Sequence, residues 1–110
     1  MLNFCQKQYE RLKALLDGVE IPLSLLMGNH DRREAFHEVF GGTGFVQAVV
    51  SVCQDRLICL DTLDGPPYPQ WHHAGMLGPE RLAWLKAALD GAEGRIPLVF
   101  AHHPPFETGI

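Results

Sequence analysis

Apolar side chains at Cys5, Tyr9, Leu12, Leu16 and Val19 recur every three or four positions, which predicts a helix over residues 3–17 with one buried stripe. Asp17-Gly18 supplies its stop. Ile21-Pro22-Leu23-Ser24-Leu25-Leu26-Met27 is then nearly continuous in apolar character, the pattern of a short strand covered on both faces. It runs straight into Gly28-Asn29-His30-Asp31. Asp31 reads as the N-cap of a second helix, with Glu34 three residues on completing a variant of the capping box. Ala35, Phe36, Val39 and Phe40 supply the apolar face of that helix, and Gly41-Gly42 and Gly44 end it.

The second half is patterned differently. Residues 45–52 are rich in β-branched side chains, and a second run, 57–60, follows the polar stretch Cys53-Gln54-Asp55-Arg56; together they predict an antiparallel hairpin. Asp64-Gly65-Pro66-Pro67-Tyr68-Pro69 is a loop dense in turn formers, leading to Trp71 and His72-His73. Gly78-Pro79-Glu80 opens a third helix, with Leu82, Leu85 and Leu89 as its buried side and Gly91 at its C-cap. Ile96-Pro97-Leu98-Val99-Phe100-Ala101 repeats the continuous apolar strand pattern and ends in His102-His103-Pro104-Pro105. The order predicts an α/β fold in which helices cover a sheet. Three helices cannot cover two strands that each want cover on both faces, so apolar surface is left over. Either a second copy covers it, as in a homodimer, or the chain is part of a larger domain, a reading that a start almost directly on a helix favours.

Composition narrows the class. The 110 residues, 46% hydrophobic and 20% charged, make one domain at most. Nine basic against thirteen acidic side chains give a net charge of -4, which argues against a nucleic-acid polymer as partner. No apolar run approaches a membrane span, and the start lacks the pattern of a secretory leader, so a cytoplasmic location with no membrane partner is expected. The three cysteines, Cys5, Cys53 and Cys59, follow no zinc or redox spacing and read as small buried apolar side chains. A Cys53–Cys59 disulfide across the hairpin is the sharper alternative, disfavoured by a reducing compartment.

In open α/β sheets ligands bind beyond the carboxyl ends of strands, and both polar knots stand there. Asn29 offers a neutral carbonyl oxygen and His102 an imidazole nitrogen, together half the shell of a transition-metal ion. His30 is then free to act on substrate, with Asp31 to hold its imidazole in one tautomer or raise its pKa, while Gly28 admits a close backbone approach. Each feature has a plainer reading. Asn-His-Asp before a helix also serves as turn and capping chemistry, and His-His-Pro-Pro also simply ends a strand. His72 and His73 read as a solvated pair, Trp71 and Trp84 as packing residues, with Trp71 also placed to line a pocket. Asp61 is a candidate extra carboxylate.

Gly28 to Asp31 after one apolar strand and His102 to Pro105 after another, with Leu57-Ile58-Cys59-Leu60-Asp61-Thr62 and residues 75–85 between them, resemble the calcineurin-like metallophosphoesterase superfamily, most closely its bacterial class III cyclic nucleotide phosphodiesterases. The resemblance implies part of a layered α/β/β/α sandwich. It implies a dinuclear Fe, Mn or Zn hydrolase in which metal-borne hydroxide attacks phosphorus in line, on a small phosphodiester such as cyclic AMP. Asn29 then falls on a ligand of the second metal and His30 on the residue that contacts phosphate and assists the leaving oxygen. His102 falls on a single His ligand preceding an x-Pro pair. His103, as the x, is the lesser candidate for substrate contact. The family's Asp-x-His and Gly-Asp elements upstream and Gly-His-x-His element downstream are not in residues 1–110. A single partial domain is therefore expected, holding at most one weakly bound metal and inactive by itself. A non-catalytic binding or dimerisation domain that keeps the motifs, and a phosphomonoesterase or pyrophosphatase of the same superfamily, are the alternatives.

Overall fold

The computed structural model describes residues 4–64 and 75–105. Trp71, His72 and His73 lie outside the described residues. The elements run α1 (Phe4–Leu16), α2 (Arg33–Phe40), β1 (Ala48–Val52), β2 (Asp55–Cys59), α3 (Gly78–Asp90) and β3 (Ile96–Phe100). One mixed sheet of order β1-β2-β3 pairs β1 with β2 antiparallel and β2 with β3 parallel. The α/β class expected from the pattern is the class observed.

The helix pair α1/α2 forms one half of the core. Tyr9 of α1 and Ala35, Phe36 and Val39 of α2 are buried together with Met27 and Leu63. Phe36 and Phe40 stack at 4.7 Å, and Tyr9 meets both edge-on, at 5.7 and 6.3 Å, the geometry aromatic quadrupoles favour. Lys13 Nζ donates to Val39 O at 3.1 Å near the end of α2, where free carbonyls attract a cation. Gly18 (φ 84°) and Gly41 (φ 85°) follow the two helices in the left-handed region that a side chain resists, as their stop positions predict.

Several expectations are corrected. Ile21 to Met27 forms no strand among the described residues: a strand is defined by its ladder, and no described strand pairs with this segment. Only its end is covered, with Met27 buried and Ile21 and Leu23 exposed. The hairpin turn is shorter than expected. Val52 and Asp55 are its closing pair, so Asp55 and Arg56 belong to β2, and Cys53 takes a positive φ (51°), as two-residue turns require. Cys53 is exposed and Cys5 half-buried; only Cys59 is the buried apolar thiol expected of all three. None is in a disulfide.

Helix α3 is turned relative to its predicted face. Arg81 and Ala88 are its buried residues, while Leu82 is 56% and Leu89 38% exposed. The reason is polar. Arg81 Nη1 donates to the carbonyls of Asp61 (2.8 Å) and Leu63 (2.9 Å), and Arg56 of β2 donates to Ala88 O at 2.9 Å. These bonds fix which side of α3 meets the sheet: Leu85 is half-buried, and Leu82 and Leu89 are left outside. β3, expected to be covered on both faces, is exposed along its whole length. Its ladder to β2 is bracketed by Ile96 N–H to Gln54 O and Leu60 N–H to Phe100 O, which turns Pro97 and Val99 to the outer edge. Pro97 has no N–H to offer there.

Asp61, just beyond β2, is the joint of the molecule. It is 0% exposed. Arg33 of α2 grips it with Nε at 2.7 Å and Nη2 at 2.9 Å, Arg81 Nη1 stands at 3.3 Å, and the N–H groups of Val46 and Leu63 donate at 2.8 and 3.0 Å. Arg33 also donates to Leu63 O. The Phe45 ring meets both guanidiniums, 5.0 Å from Arg33 and 4.4 Å from Arg81, and β1 starts only at Ala48, three residues on. Burial alone would raise the Asp61 carboxyl, but the Arg33 bond and charge and the Val46 and Leu63 N–H groups outweigh it and hold the group below its ordinary value.

A depressed carboxylate pKa stabilises the fold above the unfolded value of about 3.9 and ceases to do so as pH falls through the folded value. Asp61→Asn is therefore expected to cost about 3–5 kcal/mol at pH 7, because both arginines lose their counter-charge. Urea denaturation at pH 7 and pH 3 checks this: the gap between parent and variant should shrink on acidification.

Candidate metal centre

The end of the Ile21–Met27 segment and the end of β3 arrive at one place. His102 Nε2 lies 3.0 Å from Asn29 Oδ1, although the two residues are far apart in the chain. Asn29 is half-buried and His102 exposed, so the pair opens to solvent.

The loop that presents Asn29 is a tight turn. Asp31 N–H donates to Gly28 O at 3.1 Å, and the Asp31 carboxylate turns back so that Oδ2 accepts Gly28 N–H at 2.7 Å. This corrects the expected capping role. The N-cap of α2 is Arg32, with no side-chain cap bond, because the Asp31 oxygens face Gly28 N–H and the Tyr9 hydroxyl instead. Gly28 has little room for a side chain: a Cβ there would stand 3.3 Å from Asp31 Oδ2 and 3.4 Å from His102 Nδ1. The close approach anticipated for this glycine is that of the His102 ring. His30 is exposed at the turn, next to Asn29.

His103 faces a different partner. Its Nδ1 pairs with Thr62 Oγ1 at 2.8 Å, its N–H donates to the same oxygen at 3.3 Å, and its ring meets His102 edge-on at 5.0 Å. Thr62 follows Asp61 directly, so the histidine knot is tied to the buried arginine–carboxylate joint. Gly75 lies against His103: a Cβ there would come within 2.4 Å of Cγ. Asp61, the candidate extra carboxylate, is committed to two arginines inside the fold and stands apart from this site.

The donor set fits part of a metal shell. Two ligands each about 2.1 Å from one cation in adjacent octahedral positions stand about 3.0 Å apart, the separation found here. A carbonyl oxygen beside an imidazole nitrogen suits a borderline divalent ion. Among the described residues no group of three or more His, Cys, Asp or Glu side chains gathers to hold one. Tyr9, Thr62, Gly75, Arg33 and Arg81 were not legible as contributors. Tyr9 sits in an ordinary helical stripe; Thr62, Gly75 and Arg81 lie in stretches that carry the resemblance, but nothing in the sequence shows what each of them touches.

No family model matches the chain. Curated relatives do. A probable cyclic nucleotide phosphodiesterase of Rhodopseudomonas palustris is 43% identical over 109 residues, covering 93% of this chain and 38% of that protein. The 3',5'-cyclic adenosine monophosphate phosphodiesterase CpdA of Pseudomonas aeruginosa is 32% identical over 101 residues, 92% of this chain and 35% of that protein. A probable glycerophosphodiester phosphodiesterase GpdQ of Arcobacter nitrofigilis is 29% identical over 115 residues, 98% of this chain and 40% of that protein. The relatives it matches are calcineurin-like metallophosphoesterases. Within that superfamily the proteins it matches carry the names of cyclic nucleotide and glycerophosphodiester phosphodiesterases, and it spans about 38% of the length of the first of them.

Gly75→Ala should push the His103 ring off Thr62 at a cost of about 1–3 kcal/mol. Thr62→Val should remove the same bond at about 1 kcal/mol. Imidazole NMR signals of His103 that shift in both variants, alongside lowered urea midpoints, are the expected result.

Proposed function

We propose that these residues are part of a metal-dependent phosphodiesterase that hydrolyses 3',5'-cyclic nucleotides, and that Asn29 and His102 hold one of its divalent cations. The carrying observation is the 3.0 Å approach of Asn29 Oδ1 to His102 Nε2 at the mouth of the sheet. Cyclic nucleotides come first because the relatives named for them reach 43% identity, against 29% for the glycerophosphodiester relative. The cation, of the Fe, Mn or Zn kind, supplies neutralisation of phosphate oxygen charge when bound.

The chain's own residues divide the remaining work. Asn29 and His102 offer a carbonyl oxygen and an imidazole nitrogen, so they bind without adding negative charge that would repel an anionic diester. His30, exposed at the apex of the turn, meets the phosphate and donates a proton or hydrogen bond to the leaving oxygen. Asp31 orients the turn, and His103 orients from its Thr62 bond toward substrate as a secondary contact. Two neutral donors hold one cation weakly, so the 110 residues alone are inactive in this reading. The other donors, an Asp-x-His, a Gly-Asp and a Gly-His-x-His element, belong to a larger domain of which this is one part.

The relatives support that reading over a free-standing dimerisation module. The exposed β3 is the feature a second copy would use, yet its outer edge carries Pro97, which donates no hydrogen bond to a new strand. No described helix is long and apolar enough to cross a membrane. Three cysteines without disulfides fit a reducing, cytoplasmic setting.

A Mn(II) titration followed by paramagnetic broadening of histidine ring signals tests the assignment. One weak site centred on His102 is expected. Asn29→Ala or His102→Ala should weaken it about tenfold or more, whereas His30→Ala should leave it within about twofold. In a longer protein with the remaining donors, His30→Ala should lower kcat with metal content intact. Loss of metal in His30→Ala, or cyclic AMP turnover by the 110 residues with two tightly bound Mn ions, would overturn the assignment.

A further inference from the structure

The turn that carries Asn29 and His30 is fastened from helix α1, which lies outside the turn and the sheet. Tyr9 of α1 sends its hydroxyl to Asp31 Oδ1 at 2.5 Å and accepts the N–H of Arg32 at 3.0 Å. Its ring is buried and edge-packed on Phe36 and Phe40, so the hydroxyl position is set by the α1/α2 interface. The other Asp31 oxygen holds Gly28 N–H at 2.7 Å, and Gly28 O accepts Asp31 N–H. Both ends of the turn are thus closed through one carboxylate, with Asn29 and His30 at the apex.

We infer that Tyr9 is a positioning residue for the metal centre: through Asp31 it fixes the Gly28–Asp31 turn so that Asn29 Oδ1 stands beside His102 Nε2. The inference rests on the metal-binding reading above and adds the group that orients it. It also assigns Asp31 the work of a strut, since hydrogen bonds occupy both of its oxygens. Burial and the Asp31 bond raise the phenol above its ordinary value, so it stays a donor across the neutral range. Tyrosine is needed here where phenylalanine would fill the same space, because only its hydroxyl donates to a carboxylate and accepts from a backbone N–H at once.

Tyr9→Phe keeps the ring and deletes the hydroxyl, and Tyr9→Leu removes both. The readouts are amide hydrogen exchange at Gly28 and Arg32 in the metal-free chain, Mn(II) affinity from broadening of the His102 ring signals, and the urea midpoint. In Tyr9→Phe, exchange at both amides should speed up about tenfold and Mn(II) affinity should fall about tenfold, with a modestly lowered urea midpoint. Tyr9→Leu should show the same Mn(II) loss and a clearly lower midpoint. Exchange within about twofold of the parent in Tyr9→Phe would overturn the inference, as would an unchanged Mn(II) affinity in a parent that binds the ion. A parent that binds no Mn(II) at His102 would sink the metal-binding reading instead, and the exchange rates would then decide the role of Tyr9 alone.

Discussion

A carboxylate with no access to water must find its counter-charges inside the fold, and Asp61 finds two. Arg33 from α2 and Arg81 from α3 both reach it and both meet the Phe45 ring, and the N–H groups of Val46 and Leu63 donate to it as well. The buried charge network therefore also sets geometry. It helps decide which face of α3 meets the sheet. It also decides how α2, which follows the Asn29 turn directly, lies against the end of β2. Burial disfavours the Arg81 charge, and Arg33 beside it adds repulsion, which Asp61 opposes. The three groups hold together only as a set.

The candidate metal centre stands on this joint at one end and on the aromatic core at the other. Thr62, next to Asp61, ties down His103, and His102 follows from the same strand end. Across from it, Asp31 couples the turn to Tyr9 and so to the stacked phenylalanines of α2. A rigid pair of donors made from two distant stretches of chain needs both supports, because a metal discriminates over fractions of an ångström while an unsupported surface loop wanders further. Of the two residues that meet there, His102 is exposed and Asn29 half-buried.

Apolar surface is abundant elsewhere. β3 is exposed on both faces, and Leu82 and Leu89 of α3 point outward. That surface accords with a chain that spans only a minor part of the relatives it matches.

The periodicity of apolar positions was enough to find α1, α2 and α3, and the β-branched and apolar runs to find the hairpin and β3, because local backbone preferences leave their mark on neighbouring residues. The two polar knots, and with them the meeting of Asn29 and His102, were legible for a similar reason: each follows an apolar run at once. Which side of α3 is buried was not legible, since buried arginines outvoted exposed leucines through carbonyls far away in sequence. Nor could pattern show that residues 21–27 lack a ladder, because an apolar run states a wish for partners and only the tertiary arrangement supplies them. The roles of Tyr9, Thr62 and Gly75 were decided there too: a hydroxyl, a second hydroxyl and a missing Cβ acquire meaning only from what the fold brings within 3 Å of them.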